Sequence, residues 1–185
     1  MSGRRGMENH IYSLLFRKEF ITEPSESHLK AAPNISGAAE RRNMKSLTIW
    51  FPISPQPWQR PKTRIINGWV QHYSPKKTTE YEREIADYFR SHPQRFKFEK
   101  DIPVAINLVF GMPIPKSTPK SRKDAMIEGV IKHTKRPDVD NMAKAVLDAL
   151  NGLAWADDSQ IVRLSITKEY TREPYVYLYM YEYTD

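Results

Sequence analysis

A chain of 185 residues with 39% hydrophobic content has room for one domain with a modest core, and its lack of cysteine excludes disulfides, thiol catalysis and cysteine-ligated zinc. Lysine and arginine number 29 against 22 aspartate and glutamate, a net charge of +7, which points to a polyanionic partner, nucleic acid first among them. The longest early apolar run, Ile11 to Phe16, is interrupted by Tyr12 and Ser13 and is too short for a signal core or a membrane span, so the expectation is a soluble, cytoplasmic protein with no membrane partner.

Residues 1–43 are polar, mixed in charge and punctuated by Pro24, Pro33 and Gly37, the pattern of a flexible or poorly ordered extension. The folded body is expected over residues 44–185. Leu47 to Phe51 reads as a strand. Pro52, Pro55, Pro57 and Pro61 then bar regular structure and stiffen a loop that carries Trp58, Arg60, Lys62 and Arg64. Ile65 to Tyr73 reads as a turn or short hairpin about Asn67-Gly68. Ser74-Pro75 supplies a capping hydroxyl followed by a proline at the first helical position, and Tyr81, Ile85, Tyr88 and Phe89 give the helix an apolar face that ends near His92-Pro93.

Val104 to Phe110 alternates as a strand does. The connection from 112 to 136 is long and basic (Lys116, Lys120, Arg122, Lys123, Lys132, Lys135, Arg136 against Asp124 and Glu128), with a short helix expected between Lys120 and Val130. Met142, Ala145, Val146, Ala149 and Leu150 recur as one face of a helix that Asn151-Gly152 stops. Ile161 to Thr167 and Tyr175 to Tyr183 read as an antiparallel strand pair. The order predicts an α+β fold: a small single domain with a mixed β-sheet and two main helices.

Five aspartates crowd one segment of this basic chain: Asp138, Asp140, Asp148, Asp157 and Asp158. At about 100° per residue, Lys144, Asp148 and Asn151 fall within about 80° of Asp140, opposite the apolar face. Leu147 lies on that polar side and is a candidate contact for a second subunit. Capping explains one aspartate at a helix start, and a turn before a strand explains Asp157-Asp158. Two acids in three residues after Lys135 and Arg136 exceed what a cap requires. A calcium loop opening at Asp138 fails, because Ala143 and Ala149 stand where glycine and glutamate are needed. Hard-metal binding remains: Mg²⁺ takes a few carboxylates, and such ions clamp the oxygens of a phosphodiester inside a basic surround that holds the other phosphates.

The stretch RPDVDNMAKAVLDALNG…W.DD.QI resembles the signature of the RusA family of Holliday junction resolvases, a family commonly encoded by phages and prophages. PQPWQRPKTR resembles the family's proline-and-arginine loop and YSPKKTTEYE its first helix, so the resemblance covers roughly Met44 to Tyr183. It implies a homodimer of small α+β domains that cuts four-way DNA junctions with Mg²⁺, or Mn²⁺ in its place, leaving 5′-phosphate and 3′-hydroxyl ends. It makes Asp138, Asp140 and Asp158 the metal-holding catalytic acids and Lys144 the essential basic residue. Asp157 and Asp148 are assisting candidates, Asp148 with a structural or supporting role. Arg60, Lys62, Arg64, Lys76, Lys77, Lys135 and Arg136 are the phosphate-contact candidates, although WQRPKTR is less basic than some relatives in that loop. Three alternatives stand beside this: a DNA-structure binder without activity, a broader nuclease of flaps or forks, and a sugar-nucleotide transferase using Asp138 and Asp140.

Overall fold

The computed structural model describes residues 44–184; the expected extension at 1–43 lies outside them. Among the described residues six strands and three helices follow one another: β1 (Ser46–Phe51), β2 (Lys62–Ile66), β3 (Trp69–Tyr73), α1 (Lys76–Ser91), β4 (Val104–Pro113), α2 (Lys120–Ile127), α3 (Val139–Leu150), β5 (Ile161–Thr171) and β6 (Tyr175–Glu182), with a 3₁₀ turn at Asp158–Gln160. Four strands form one sheet in the order β1-β6-β4-β5, and β2 and β3 form a separate ribbon. The fold is α+β and the sheet is mixed, as the element order predicts.

One strand pairing differs from expectation. β5 and β6 are consecutive but not neighbours, because β4 lies between them, antiparallel to β6 and parallel to β5. The reason is apolar content. β4 is buried along nearly its whole length, on both faces, and belongs in the centre, whereas β5 fully buries only Tyr170 and suits an edge. The link from β5 to β6 must therefore cross the end of β4. It does so over Gly111, where an added Cβ would stand 2.4 Å from the Tyr175 ring. Only glycine admits that close approach.

The sheet's two faces are distinguished by the period-2 alternation of its strands. Leu47, Ile49 and Phe51 of β1, Val176, Leu178 and Met180 of β6, and Ile106, Leu108 and Phe110 of β4 are buried together with the apolar faces of α1 and α3. α1 contributes Tyr81, Ile85 and Phe89, and α3 contributes Met142, Ala145, Val146, Ala149 and Leu150, the periodic set read from the sequence. The two helices pack on each other as well as on the core. Leu147 is half-buried and packs against this core, so it has an intrachain role that helical position alone did not assign. The start of α1 also differs from expectation. Pro75 is the N-cap and no side chain caps the helix; Ser74 lies outside it.

The crossover from β4 through α2 and α3 to β5 sets where the site residues lie. β4 and β5 are parallel, with Val104 beside Ile161 and Phe110 beside Lys168. α3 must therefore carry the chain from the far end of β4 back to the near end of β5.

Candidate functional site

Asp138 is the N-cap of α3, extended at φ −76° and ψ 143°, yet its carboxylate makes no capping hydrogen bond. Asp140 stands in the first turn, exposed, with Asn141 Nδ2 at 3.5 Å from its Oδ1. The helix N-terminus presents positive partial charge here, beside both side chains. The approach to α3 is held from β5. Lys168 Nζ donates to Lys135 O at 2.7 Å and to Pro137 O at 2.9 Å. Lys168 also lies beside the largely buried His133, whose pKa is lowered by burial first and by Lys168 second, so the ring stays neutral at physiological pH.

Lys144 sits one turn beyond Asp140 on the same face. Its Nζ is 3.1 Å from each Asp148 oxygen and 4.9 Å from the centroid of the Trp58 ring. Trp58 is itself fixed to α3, its backbone N–H donating to Asn141 O at 2.8 Å. The proline-rich loop is thus docked on the helix that carries the acids, and Lys144 is gripped between a carboxylate and an aromatic face. Glu82 of α1 completes the group. Its pKa is raised, by burial first and then by Asp148, while Lys144 opposes the shift. Sequence reasoning passed over Glu82. The available signal was its position beside Tyr81, on the flank of the buried stripe that faces α3.

The second acidic pair divides by role. Asp157 caps the 3₁₀ turn: its carboxylate accepts from Ser159 N at 2.9 Å, and Gln160 Oε1 accepts from Asp157 N at 3.1 Å. Hydrogen bonding from Ser159 lowers its pKa. Asp158 instead accepts from the indole N–H of Trp155 at 2.8 Å, and Trp155 is fully buried. Gln160, also buried, ties the turn to the segment before β4 by donating to Glu99 O at 2.7 Å and Ile102 O at 3.0 Å. Trp155 and Gln160 belong to the sequence motif, but their service to Asp158 and its turn is a tertiary fact.

These anchors locate the three acids. Asp138 and Asp140 open α3 beside Lys168, near the end of β5. Asp158 follows the other end of α3, just before β5 begins. The 12 residues of α3 separate the two positions by about 18 Å of helix. Consistent with that, no group of three Asp, Glu or His side chains among the described residues stands close enough to share a metal. The carboxylates are hard oxygen donors of the kind Mg²⁺ and Mn²⁺ take, and Asp138 has no competing cap bond. The chemistry fits such an ion, and one chain supplies Asp138 and Asp140 at one place and Asp158 at another.

Of the basic candidates, Lys62 and Arg64 lie on the exposed β2 strand and Arg60 just before it. Lys76 and Lys77 open α1, Lys76 paired with Glu80 at 3.5 Å. Lys135 and Arg136, separated from Asp138 by Pro137, are exposed. No helix among the described residues is long and apolar enough to cross a membrane.

Trp155→Phe tests the support of Asp158. The variant keeps most of the buried ring but removes the N–H, and it is expected to lose about 1–3 kcal/mol of stability in urea denaturation. If Asp158 belongs to the reacting centre, any nuclease activity should fall about 10- to 100-fold, the usual cost of losing a partner that orients a metal ligand. Full activity in the folded variant would show that Asp158 needs no such anchor.

A family model described as endodeoxyribonuclease RusA matches residues 52–181. The uncharacterized protein YqaN of Bacillus subtilis (strain 168) is 34% identical over 117 residues, which are 63% of this chain and 82% of that protein.

Proposed function

The chain belongs to the endodeoxyribonuclease RusA family, and on that premise we propose that it is a homodimeric, Mg²⁺- or Mn²⁺-dependent nuclease that resolves four-way DNA junctions. The observation that carries the reading is the pairing at the head of α3: the uncapped carboxylate of Asp138 and exposed Asp140, with Lys144 held one turn away. Two exposed carboxylates two residues apart, the first with no cap bond, are free to take up a hard cation together.

Asp138, Asp140 and Asp158 would hold the ion, which when bound supplies charge neutralisation and activation of water for phosphodiester hydrolysis. Lys144 stabilises charge growing on the phosphoryl oxygens, and it does so as a preorganised cation because Asp148 and Trp58 fix its direction. Arg60, Lys62, Arg64, Lys76, Lys77, Lys135 and Arg136 bind flanking phosphates.

The separation of the acids supports the dimer. A two-fold axis across β5 reverses the strand in the second copy. The end carrying Asp158 in one copy then lies beside the end carrying Asp138 and Asp140 in the other. β5 is an edge strand, and its Val162 and Leu164 are exposed near the Asp158 end, an apolar surface that an interface would cover. Two such composite sites, one for each of two opposed strands, suit a junction that is itself symmetric.

Incubation with a synthetic four-way junction is the test. Paired nicks are expected with Mg²⁺ and none with EDTA, and a linear duplex of the same sequence should stay intact. Uncut junctions under all divalent cations would leave a DNA-structure binder; equal cutting of flaps and forks would leave a broader nuclease. Junction affinity should also fall steeply with salt, with a log–log slope of about −6 if all seven basic candidates of one copy contact phosphates. A flat response would remove these residues from the interface.

A further inference from the structure

We infer that the β2–β3 ribbon is an apolar wedge that seats Trp69 against unstacked bases at a DNA branch point. This rests on the proposed function for its substrate and adds a selectivity element distinct from the acids.

The ribbon is unusual among the elements of this chain. Every one of its ten residues is exposed, and it packs substantially on no other element. Two-stranded ribbons are marginal in water and do not ordinarily display large apolar side chains. This one does: Trp69 is 77% exposed, Ile65 72% and Val70 60%. The turn is tight, with Asn67 at φ 51° and Gly68 at φ 82°, so Trp69 follows directly on the tip. Cross-strand register divides the side chains between two faces. Ile65 pairs with Val70 on one face, and Ile66 pairs with Trp69 on the other. Both faces of the tip are therefore apolar.

The base of the ribbon has the opposite chemistry. Thr63 is hydrogen-bonded to His72 at 3.0 Å, Arg64 reaches Gln71 at 3.4 Å, and the Arg64 guanidinium lies 5.2 Å from the Tyr73 ring centroid. From Ser54 to Thr79 there is no acidic residue, while Arg60, Lys62, Arg64, Lys76 and Lys77 are all basic. The charge complements a phosphate backbone on either side of an apolar tip. A thin ribbon with two apolar faces suits insertion between two flat surfaces better than docking on one protein face. Base pairs at a branch point offer such surfaces, because stacking is already interrupted there and little must be spent to open it.

The experiment compares parent, Trp69→Ala and Trp69→Phe, with Mg²⁺ replaced by Ca²⁺ to hold cleavage in check. Anisotropy titrations use a fixed four-way junction and a duplex of the same sequence. A 2-aminopurine at the branch point reports unstacking. Trp69 is exposed, so the variants should fold. Trp69→Ala is expected to weaken junction binding on the order of tenfold, the effect of losing one base–aromatic stack. It should leave duplex binding unchanged and abolish the 2-aminopurine response, and Trp69→Phe should restore both. Equal loss on junction and duplex, no loss at all, or no preference for junction in the parent would overturn the inference. So would a shift of the monomer–dimer equilibrium by Trp69→Ala in sedimentation, which would make the ribbon a contact between copies. Junction binding that depends on Trp69 in a protein that cuts nothing would sink the proposed activity and leave the wedge standing.

Discussion

Heterodimers carrying Asp140→Asn in one copy and Asp158→Asn in the other should recover cleavage that each homodimeric parent lacks. Either change alone keeps shape and removes a charged ligand. Each homodimer is expected to lose about a thousandfold or more in rate, about 4 kcal/mol of transition-state stabilisation, while still binding junctions. In a composite arrangement the mixed dimer is different. One site receives both defects. The other receives Asp140 from the Asp158→Asn copy and Asp158 from the Asp140→Asn copy, and is intact. Doubly tagged heterodimers should therefore nick at about half the wild-type rate per dimer, one strand only. Mixed dimers as inactive as their parents would mean that the acids do not meet across an interface, and full activity in either homodimer would remove that acid from the reaction. The geometry behind the expectation is simple: Asp138 and Asp140 stand at the start of α3, and Asp158 stands in the 3₁₀ turn beyond its other end.

Lys144→Ala should separate chemistry from folding. Lys144 is about half exposed, and so is its pairing with Asp148. An exposed pair of this kind contributes about 0.2–1 kcal/mol to stability, so the melting temperature should hardly move. Losing a preorganised cation at a phosphoryl transfer costs far more, about 10²–10³ in rate. Junction affinity should change by a few fold at most. Lys144→Arg is expected to restore only part of the activity, because a planar guanidinium cannot occupy the ammonium's place between Asp148 and the Trp58 ring. Unchanged cleavage by Lys144→Ala, measured in single turnover, would reduce the lysine to a surface residue with an ordered side chain.

Much of this molecule was legible in one dimension because the relevant interactions are local. The apolar stripes of α1 and α3 follow a 3.6-residue period, and the Asn67-Gly68 turn requires backbone angles that these residues tolerate; both are properties of neighbours in the chain. The same locality put Lys144 and Asp148 on the face of Asp140, one turn of helix apart. The motif that resembles the RusA family is likewise a local string, and the family match over residues 52–181 includes it.

What the chain order could not convey is which distant segments meet. Alternation marked β5 and β6 as strands, but only competition for the sheet's centre decided that β4, apolar on both faces, would separate them. That insertion makes β4–α3–β5 a parallel crossover, and a parallel crossover forces α3 to run back along the sheet. The separation of Asp158 from Asp138 and Asp140 is a consequence of that reversal. Trp58 on Lys144, Glu82 facing Asp148, Trp155 under Asp158 and Lys168 gripping Pro137 are contacts between elements 31 to 86 positions apart or, for Trp155, across a turn, fixed by packing rather than by period. Sequence by itself determined the elements, their faces and the residue types able to do the chemistry. Tertiary structure decided their meeting places, because burial of apolar surface, which sets strand order, is a property of the whole chain.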